Sequence, residues 1–306
     1  MKEYRILFMG TAQFAVPSLI ELLNLGQNII SVYSSPPKKA NRGMEITNSP
    51  VLNYAVTNGL SHSHPLDLKN KSEIEKIKIL SPDIIMVIAY GLIIPKDILL
   101  IPRLGCFNLH GSLLPRWRGA APIQRALIDG DKKTGITFMK MDEGLDTGDI
   151  VLTKEMIIGK NENYQHLESK LAELGAESFI EFFEKINNNQ SFIKQNDELS
   201  TYAKKIEKSE TKLDWSEPAE KVIRRINAYS PTPGAWFQLK GKRIKILKAS
   251  LENDQGEPGK ILNNNLTIAC GNQSIQPREL KKEGKEALSI EDFLRGNKID
   301  KDCIIE

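Results

Sequence analysis

Residues 84–89 of this 306-residue chain, Ile-Ile-Met-Val-Ile-Ala, are apolar without a break between Asp83 and Tyr90. A strand with water on one face alternates apolar and polar side chains; one covered on both faces is apolar at every position, as in the parallel sheets of α/β domains. Residues 4–9 (YRILFM), 28–35 (NIISVYSS), 105–110 (GCFNLH) and 135–141 (GITFMKM) read as further strands. Between them lie helical patterns: Phe14, Leu19, Leu22 and Leu23 before a capping Gly26, and SEIEKIKIL at 72–80. The expectation is an α/β fold with a Rossmann-like, mostly parallel sheet domain, closed by one long helix from about Tyr164 to Ile186.

The character then changes. NNNQSFIKQNDELSTYAKKIEKSE is polar and aperiodic, as interdomain linkers are, and beyond it AWFQLK and RIKILKAS flank a turn at Gly241. Further strand signals in KILNNNLTIAC point to a small β-barrel or sandwich. The expected division is 1–189, a linker at 190–206, and 207–306. Residues 203–250 hold twelve Lys and Arg against five Asp and Glu, a local excess of +7, so the rest of a chain with net charge +3 carries −4. Such a stretch is either a solvated face or a surface for phosphates. No apolar run approaches the roughly 20 residues that span a bilayer. The amino terminus reads as a first strand and not a signal peptide, and three distant cysteines give no disulfide framework. A cytoplasmic monomer is expected.

The chemistry concentrates at 107–119, FNLHGSLLPRWRG. Asn108 and His110 are two apart at the end of a strand and project to one side. Ligands of α/β sheets sit beyond the carboxyl ends of strands, and MDEGLDTGDI at 141–150 follows the next strand, so Asp146 or Asp149 could reach the imidazole. An amide, an imidazole and a carboxylate suit a developing oxyanion and a moving proton in acyl transfer. Rival chemistries lack their residues. Gly10 stands alone where a dinucleotide fingerprint needs three glycines, and Ser112 has no Gly-x-Ser-x-Gly elbow. His62 and His64 have no third and fourth ligands near in sequence, so no metal is expected.

Three stretches, VIAYGLIIPKDIL, CFNLHGSLLPRWRGAAPIQRALIDGD and MDEGLDTGDI, together with the general layout of the chain, resemble the methionyl-tRNA formyltransferases. The resemblance implies 10-formyltetrahydrofolate as donor, the α-amine of initiator methionyl-tRNA as acceptor, and Asn108, His110 and Asp146 as the catalytic set. It places folate at Ser112, Leu113, Leu114 and Pro115, with Tyr90, Gly91 and Leu92. It also implies that the loop from Ser34 to Ser49, with Lys38, Lys39 and Arg42, meets the acceptor end of the tRNA. The second domain resembles the family's OB-like tRNA-binding barrel, SPTPGAW at 230–236 included, and its candidate phosphate contacts are Lys204, Lys205, Lys208, Arg224, Arg225, Lys242, Arg243 and Lys245. The stretch Gly10-Thr11-Ala12-Gln13-Phe14 departs from the family's usual Gly-Thr-Pro-acidic turn. The motif at 107–119 is shared with relatives acting on other amines, so a small-amine formyltransferase is the enzymatic alternative, and a catalytically silent RNA-binding protein the other.

Overall fold

The computed structural model describes residues 2–40, 45–188, 190–297, 299, 301 and 303–305. The chain forms two compact units that interleave in sequence: Met1–Gly119, Lys133–Met156 and Glu168–Tyr202 make the first, and Ala120–Lys132, Ile157–Leu167 and Ala203–Glu306 the second.

The strands of the first unit's main sheet are β1 (Arg5–Gly10), β2 (Asn28–Tyr33), β5 (His62–Ser63), β6 (Ile84–Ile88), β7 (Gly105–His110), β9 (Lys133–Lys140) and β10 (Ile150–Ile157). Between β2 and β5, β3 (Lys38–Ala40) and β4 (Glu45–Thr47) pair as an antiparallel hairpin, and β8 (Arg118–Gly119) is a two-residue strand. The seven-stranded order is β10-β9-β7-β6-β1-β2-β5. β2 and β6 flank β1 in parallel, and β5 and β7 extend the sheet in parallel on either side. Every residue of Ile84–Ile88 is buried, which is the two-faced cover its unbroken apolar run requires. Helices α1 (Val16–Asn24), α2 (Pro50–Thr57), α3 (Lys71–Leu80) and α4 (Lys96–Leu99) lie in the connections.

β9 departs from the parallel expectation. It runs antiparallel to β7, with Phe107 opposite Lys140 and His110 opposite Thr137. The helix between these strands, α5 (Pro122–Asp129), clusters with the second unit, and the sequence pattern of a strand does not reveal its direction. The long helix expected over 164–186 is two, α6 (Tyr164–Glu177) and α7 (Phe179–Asn187). They break at Ser178, whose hydroxyl donates to the carbonyl of Leu174 at 2.6 Å.

In α7, Phe179, Phe182, Phe183 and Ile186 recur at helical spacing and are all buried. Phe182 stacks on Phe138 of β9 at 4.9 Å and meets Phe107 of β7 edge-on at 5.2 Å. This ring cluster fixes the strand that carries Asn108 and His110. Phe182→Ala should cost about 3–5 kcal/mol of stability in a urea titration; a loss below about 1 kcal/mol would show that the cluster does not anchor β7.

The segment expected as a linker contributes to the first unit up to Tyr202. Ile193 and Ile150 exchange backbone hydrogen bonds at 2.8 and 2.9 Å. Polar side chains hold the rest of it, and such bonds leave no periodicity in the sequence.

The second unit adds β11 (Tyr202–Ala203) at its boundary, then β12 (Ala235–Leu239), β13 (Lys242–Glu252), β14 (Ile268–Ala269), β15 (Ser274–Lys282) and β16 (Ala287–Ser289). β12 to β16 form an antiparallel sheet in the order β12-β13-β15-β14, with β16 on β15. The hairpin at Gly241 uses a positive φ of 73°, which glycine adopts without strain. α8 (Ala219–Tyr229) buries Val222, Ile226 and Tyr229 and packs on β13 and α5; α9 (Ile290–Arg295) packs on β15 and β16. Among the described residues no helix is long and apolar enough to cross a membrane.

Burial pushes the Cys106 and Cys270 thiols up to about 12, while Cys303 is only partly buried. Iodoacetamide at pH 8 should therefore label Cys303 of the native protein and reach the other two only in denaturant. Mass mapping of the adducts checks this, and early labelling of Cys106 would contradict the packing described.

Candidate active site

Val87 of β6 lies opposite Asn108 of β7 in parallel register, so the loops after these two strands leave the same edge of the sheet. The turn after β1 meets them there, where Thr11 Oγ1 donates to the Tyr90 carbonyl at 2.6 Å. Asn108 is half-buried, and its Oδ1 is buried with no hydrogen-bond partner among the described residues. An unmet buried amide oxygen costs about 1–3 kcal/mol, and one placed at a sheet edge is fit to accept from a bound molecule.

His110 is 7% exposed. Its Nε2 lies 2.9 Å from the Trp117 carbonyl. A carbonyl only accepts, so Nε2 carries hydrogen and donates, which assigns the ring's variable position to Nδ1. Trp117 turns its carbonyl inward with a φ of 65°, held by its N–H donating to Thr201 Oγ1 at 2.9 Å. Nδ1 faces Asp146 Oδ2 at 3.7 Å.

Asp146 reaches this point by a route that the parallel expectation did not foresee. Because β9 is antiparallel, the 141–149 loop starts beside Cys106, whose carbonyl accepts from Met141 N–H at 2.8 Å. The loop must turn back to meet His110. Asp142 Oδ1 accepts from Gly144 N–H at 2.9 Å and Thr147 Oγ1 at 2.7 Å, and Asp146 takes a φ of 54°. Any Cβ at Gly148 would collide with the Lys140 carbonyl, so the close approach demands glycine. The Gly119 N–H donates to Asp146 Oδ2 at 2.8 Å and pins the carboxylate next to the imidazole. This trio can stabilise a growing oxyanion and hold or move a proton beside it.

The residues expected to hold folate divide. Ser112 is fully buried and its hydroxyl donates to the Arg116 carbonyl at 2.6 Å, closing the turn. Thr137 Oγ1 donates to the Ser112 carbonyl and accepts from Leu114 N–H, so β9 fixes the loop's conformation. Leu114 is buried, whereas Leu113 and Pro115 are partly exposed. The Tyr90 ring is 2% exposed and joins the core with Leu7, Met9 and Tyr33, leaving Gly91, with a φ of 90°, and Leu92 nearer the surface. Among the described residues no group of three His, Cys, Asp or Glu is arranged to hold a metal.

The basic candidates divide too. Lys204, Lys205, Lys208, Lys242 and Arg243 are exposed, with the Arg243 guanidinium 3.9 Å above the Trp236 ring. Lys245 is half-buried and donates to the Pro233 carbonyl at 2.6 Å; burial, then Lys281 and Arg243, lower its pKa. Arg225 makes two hydrogen bonds to Glu217, at 2.7 and 3.1 Å, and Arg224 donates to the Asp129 carbonyl at 3.2 Å, so both guanidiniums are engaged inside the second unit. Lys38 is exposed on β3. Arg42 lies outside the described residues, as does the side chain of Lys39.

Family models give residues 4–183 to "Formyl transferase" and 205–298 to "Formyl transferase, C-terminal domain". The methionyl-tRNA formyltransferase of Rhodopseudomonas palustris (strain BisB18) is 43% identical over 297 residues, covering 95% of this chain and 96% of that one. The chain belongs to the methionyl-tRNA formyltransferase family.

The fold is also similar to solved structures of other formyltransferases and of HypX. The sugar 3N-formyl transferase WlaRD matches with a TM-score of 0.64 at 19% identity, over 94% of this chain and all of that one. HypX from Aquifex aeolicus in complex with tetrahydrofolic acid matches with a TM-score of 0.65 at 18% identity, over 96% of this chain. The chain spans about half the length of HypX, 47% in that structure. Three contributors to the site were not named from the sequence: the Trp117 carbonyl, the Gly119 N–H, and Gln195 from the segment expected as linker, whose Nε2 donates to the Asp146 carbonyl at 2.8 Å.

Proposed function

We propose that this chain transfers the formyl group of 10-formyltetrahydrofolate to the α-amine of initiator methionyl-tRNA, and that Asn108, His110 and Asp146 carry the reaction. The observation behind this reading is His110 Nδ1 at 3.7 Å from Asp146 Oδ2, with Asn108 two residues before His110 on the same strand. The neutral amine's lone pair forms the new C–N bond while the carbonyl electrons move onto the formyl oxygen. Asn108 supplies an amide donor to that oxygen from the same side of β7 as His110. With Nε2 committed to Trp117, Nδ1 is the ring position that takes the amine's proton, directly or through water, and Asp146 stabilises the imidazolium that results. Collapse restores the carbonyl, breaks the bond to N10 of the folate, and returns the proton to that nitrogen. Leu113 and Pro115 offer partly exposed apolar surface to the folate. Lys38, Lys39 and Arg42 are proposed to meet the acceptor end of the tRNA, and the exposed lysines and Arg243 of the second unit its phosphates.

The acceptor is tested by competition. Charged initiator tRNA and a small amine, such as glycinamide ribonucleotide or an amino sugar nucleotide, are supplied together with the donor. The tRNA should take nearly all of the formyl groups; preferential formylation of the small amine would move the chain to the alternative activity.

A further inference from the structure

Gln195 sits between two elements of the site. Its Nε2 donates to the carbonyls of Asp146 at 2.8 Å and Gly148 at 2.7 Å. Its Oε1 accepts from Arg118 Nε at 3.0 Å and Nη2 at 2.9 Å. A guanidinium only donates and a carbonyl only accepts, so these partners allow one orientation of the amide. Arg118 is 2% exposed, and its charge is met by Asp197 Oδ1 at 2.7 Å. A buried guanidinium held in this way keeps one position, because leaving its partners would strand a charge away from water.

The bonds close into a ring. From the Asp146 carbonyl the path runs through Gln195 to the Arg118 side chain, along the backbone to Gly119, and through the Gly119 N–H to the Asp146 carboxylate at 2.8 Å. Asp146 is thereby held at its carbonyl by Gln195 and at its carboxylate by Gly119 while it takes a φ of 54°, a conformation that costs an aspartate about 1 kcal/mol or more and persists only where surroundings impose it. The loop's own bonds, from Gly144 and Thr147 to Asp142, shape its tip but do not touch Asp146.

We infer that Gln195 is a positioning residue, which with the buried Arg118 sets the distance and direction of the Asp146 carboxylate relative to His110. The inference rests on the proposed role of Asp146. Gln195→Glu is the sharpest substitution: it preserves size and an acceptor for Arg118, but presents an oxygen to two carbonyls and releases the loop. Turnover of methionyl-tRNA should fall roughly 10- to 100-fold, the range for a misplaced catalytic group. Gln195→Met removes the donor without adding charge, and it predicts the same pattern if the glutamate variant does not fold.

A general structural defect would also slow the enzyme, so the deciding readout is a double-mutant cycle under single-turnover conditions. In an Asp146→Asn background either substitution at Gln195 should change the rate less than about twofold, because its effect passes through the carboxylate. Equal losses in both backgrounds would overturn the inference. If Asp146→Asn is slow but Gln195 variants are as fast as the parent, the inference alone fails. If Asp146→Asn itself is fully active, the reading of the site fails and takes the inference with it.

Discussion

His110→Ala, Asn108→Ala and Asp146→Ala should each lower turnover by about a hundredfold or more, the cost of losing an oxyanion donor or an acid-base group. The structure separates the three. Asn108→Ala removes an amide whose buried Oδ1 makes no hydrogen bond to the described residues, so relief of that desolvation cost should offset the packing lost and stability should not fall. His110→Ala also frees the Trp117 carbonyl, and Asp146→Ala frees the Gly119 N–H, so each should cost a further 0.5–1.5 kcal/mol or so of stability. Affinity for tRNA should change little in all three. Steady-state formylation beside denaturant melts distinguishes loss of chemistry from loss of fold, and near-normal turnover by the His110 variant would remove His110 from the catalytic set.

The second large effect concerns salt. If the second unit's exposed cations contact phosphates, binding releases counterions and affinity falls with a logarithmic slope of roughly 0.7 to 0.9 per phosphate. Six or more contacts would weaken tRNA binding on the order of a thousandfold between 50 and 200 mM salt. Lys242→Ala with Arg243→Ala should flatten the slope by about one to two, since both side chains are exposed. Arg225→Ala should act differently. Its guanidinium is held by Glu217 at 2.7 and 3.1 Å, so its removal should lower the stability of the second unit and leave the slope almost unaltered. Binding titrations across a salt series decide this, and a flat slope in the parent would mean the basic stretch is only a solvated face.

What could be seen in the sequence was what has a local period or spacing. Two-residue separation placed Asn108 and His110 on one side of a strand, and unbroken apolar runs marked β6 as a doubly covered strand. The direction of β9 was hidden, because strand patterns carry no sign of polarity and the intervening helix packs in the other unit. Asp146 was named for its acidity and neighbourhood, yet it arrives by a turned-back loop that Gly148 makes feasible. Gln195 and Arg118 are 77 residues apart and meet through hydrogen bonds, which depend on direction in space and leave no trace in composition. Tyr90, expected at the folate, packs its ring in the core, and Arg224 and Arg225, expected at phosphates, hydrogen-bond to Asp129 and Glu217. A count of basic residues cannot tell an engaged guanidinium from an open one.

The proposed function requires that this site move a formyl group onto the amine of methionyl-tRNA. The most direct measurement is a single turnover with isotopically labelled 10-formyltetrahydrofolate and charged initiator tRNA, followed by hydrolysis and mass analysis of the amino acid released. Labelled N-formylmethionine should form in step with loss of the donor, and about a hundredfold or more slowly with His110→Ala. Donor consumed without label on the methionine, or an equal rate of labelling by the parent and His110→Ala, would overturn that reading.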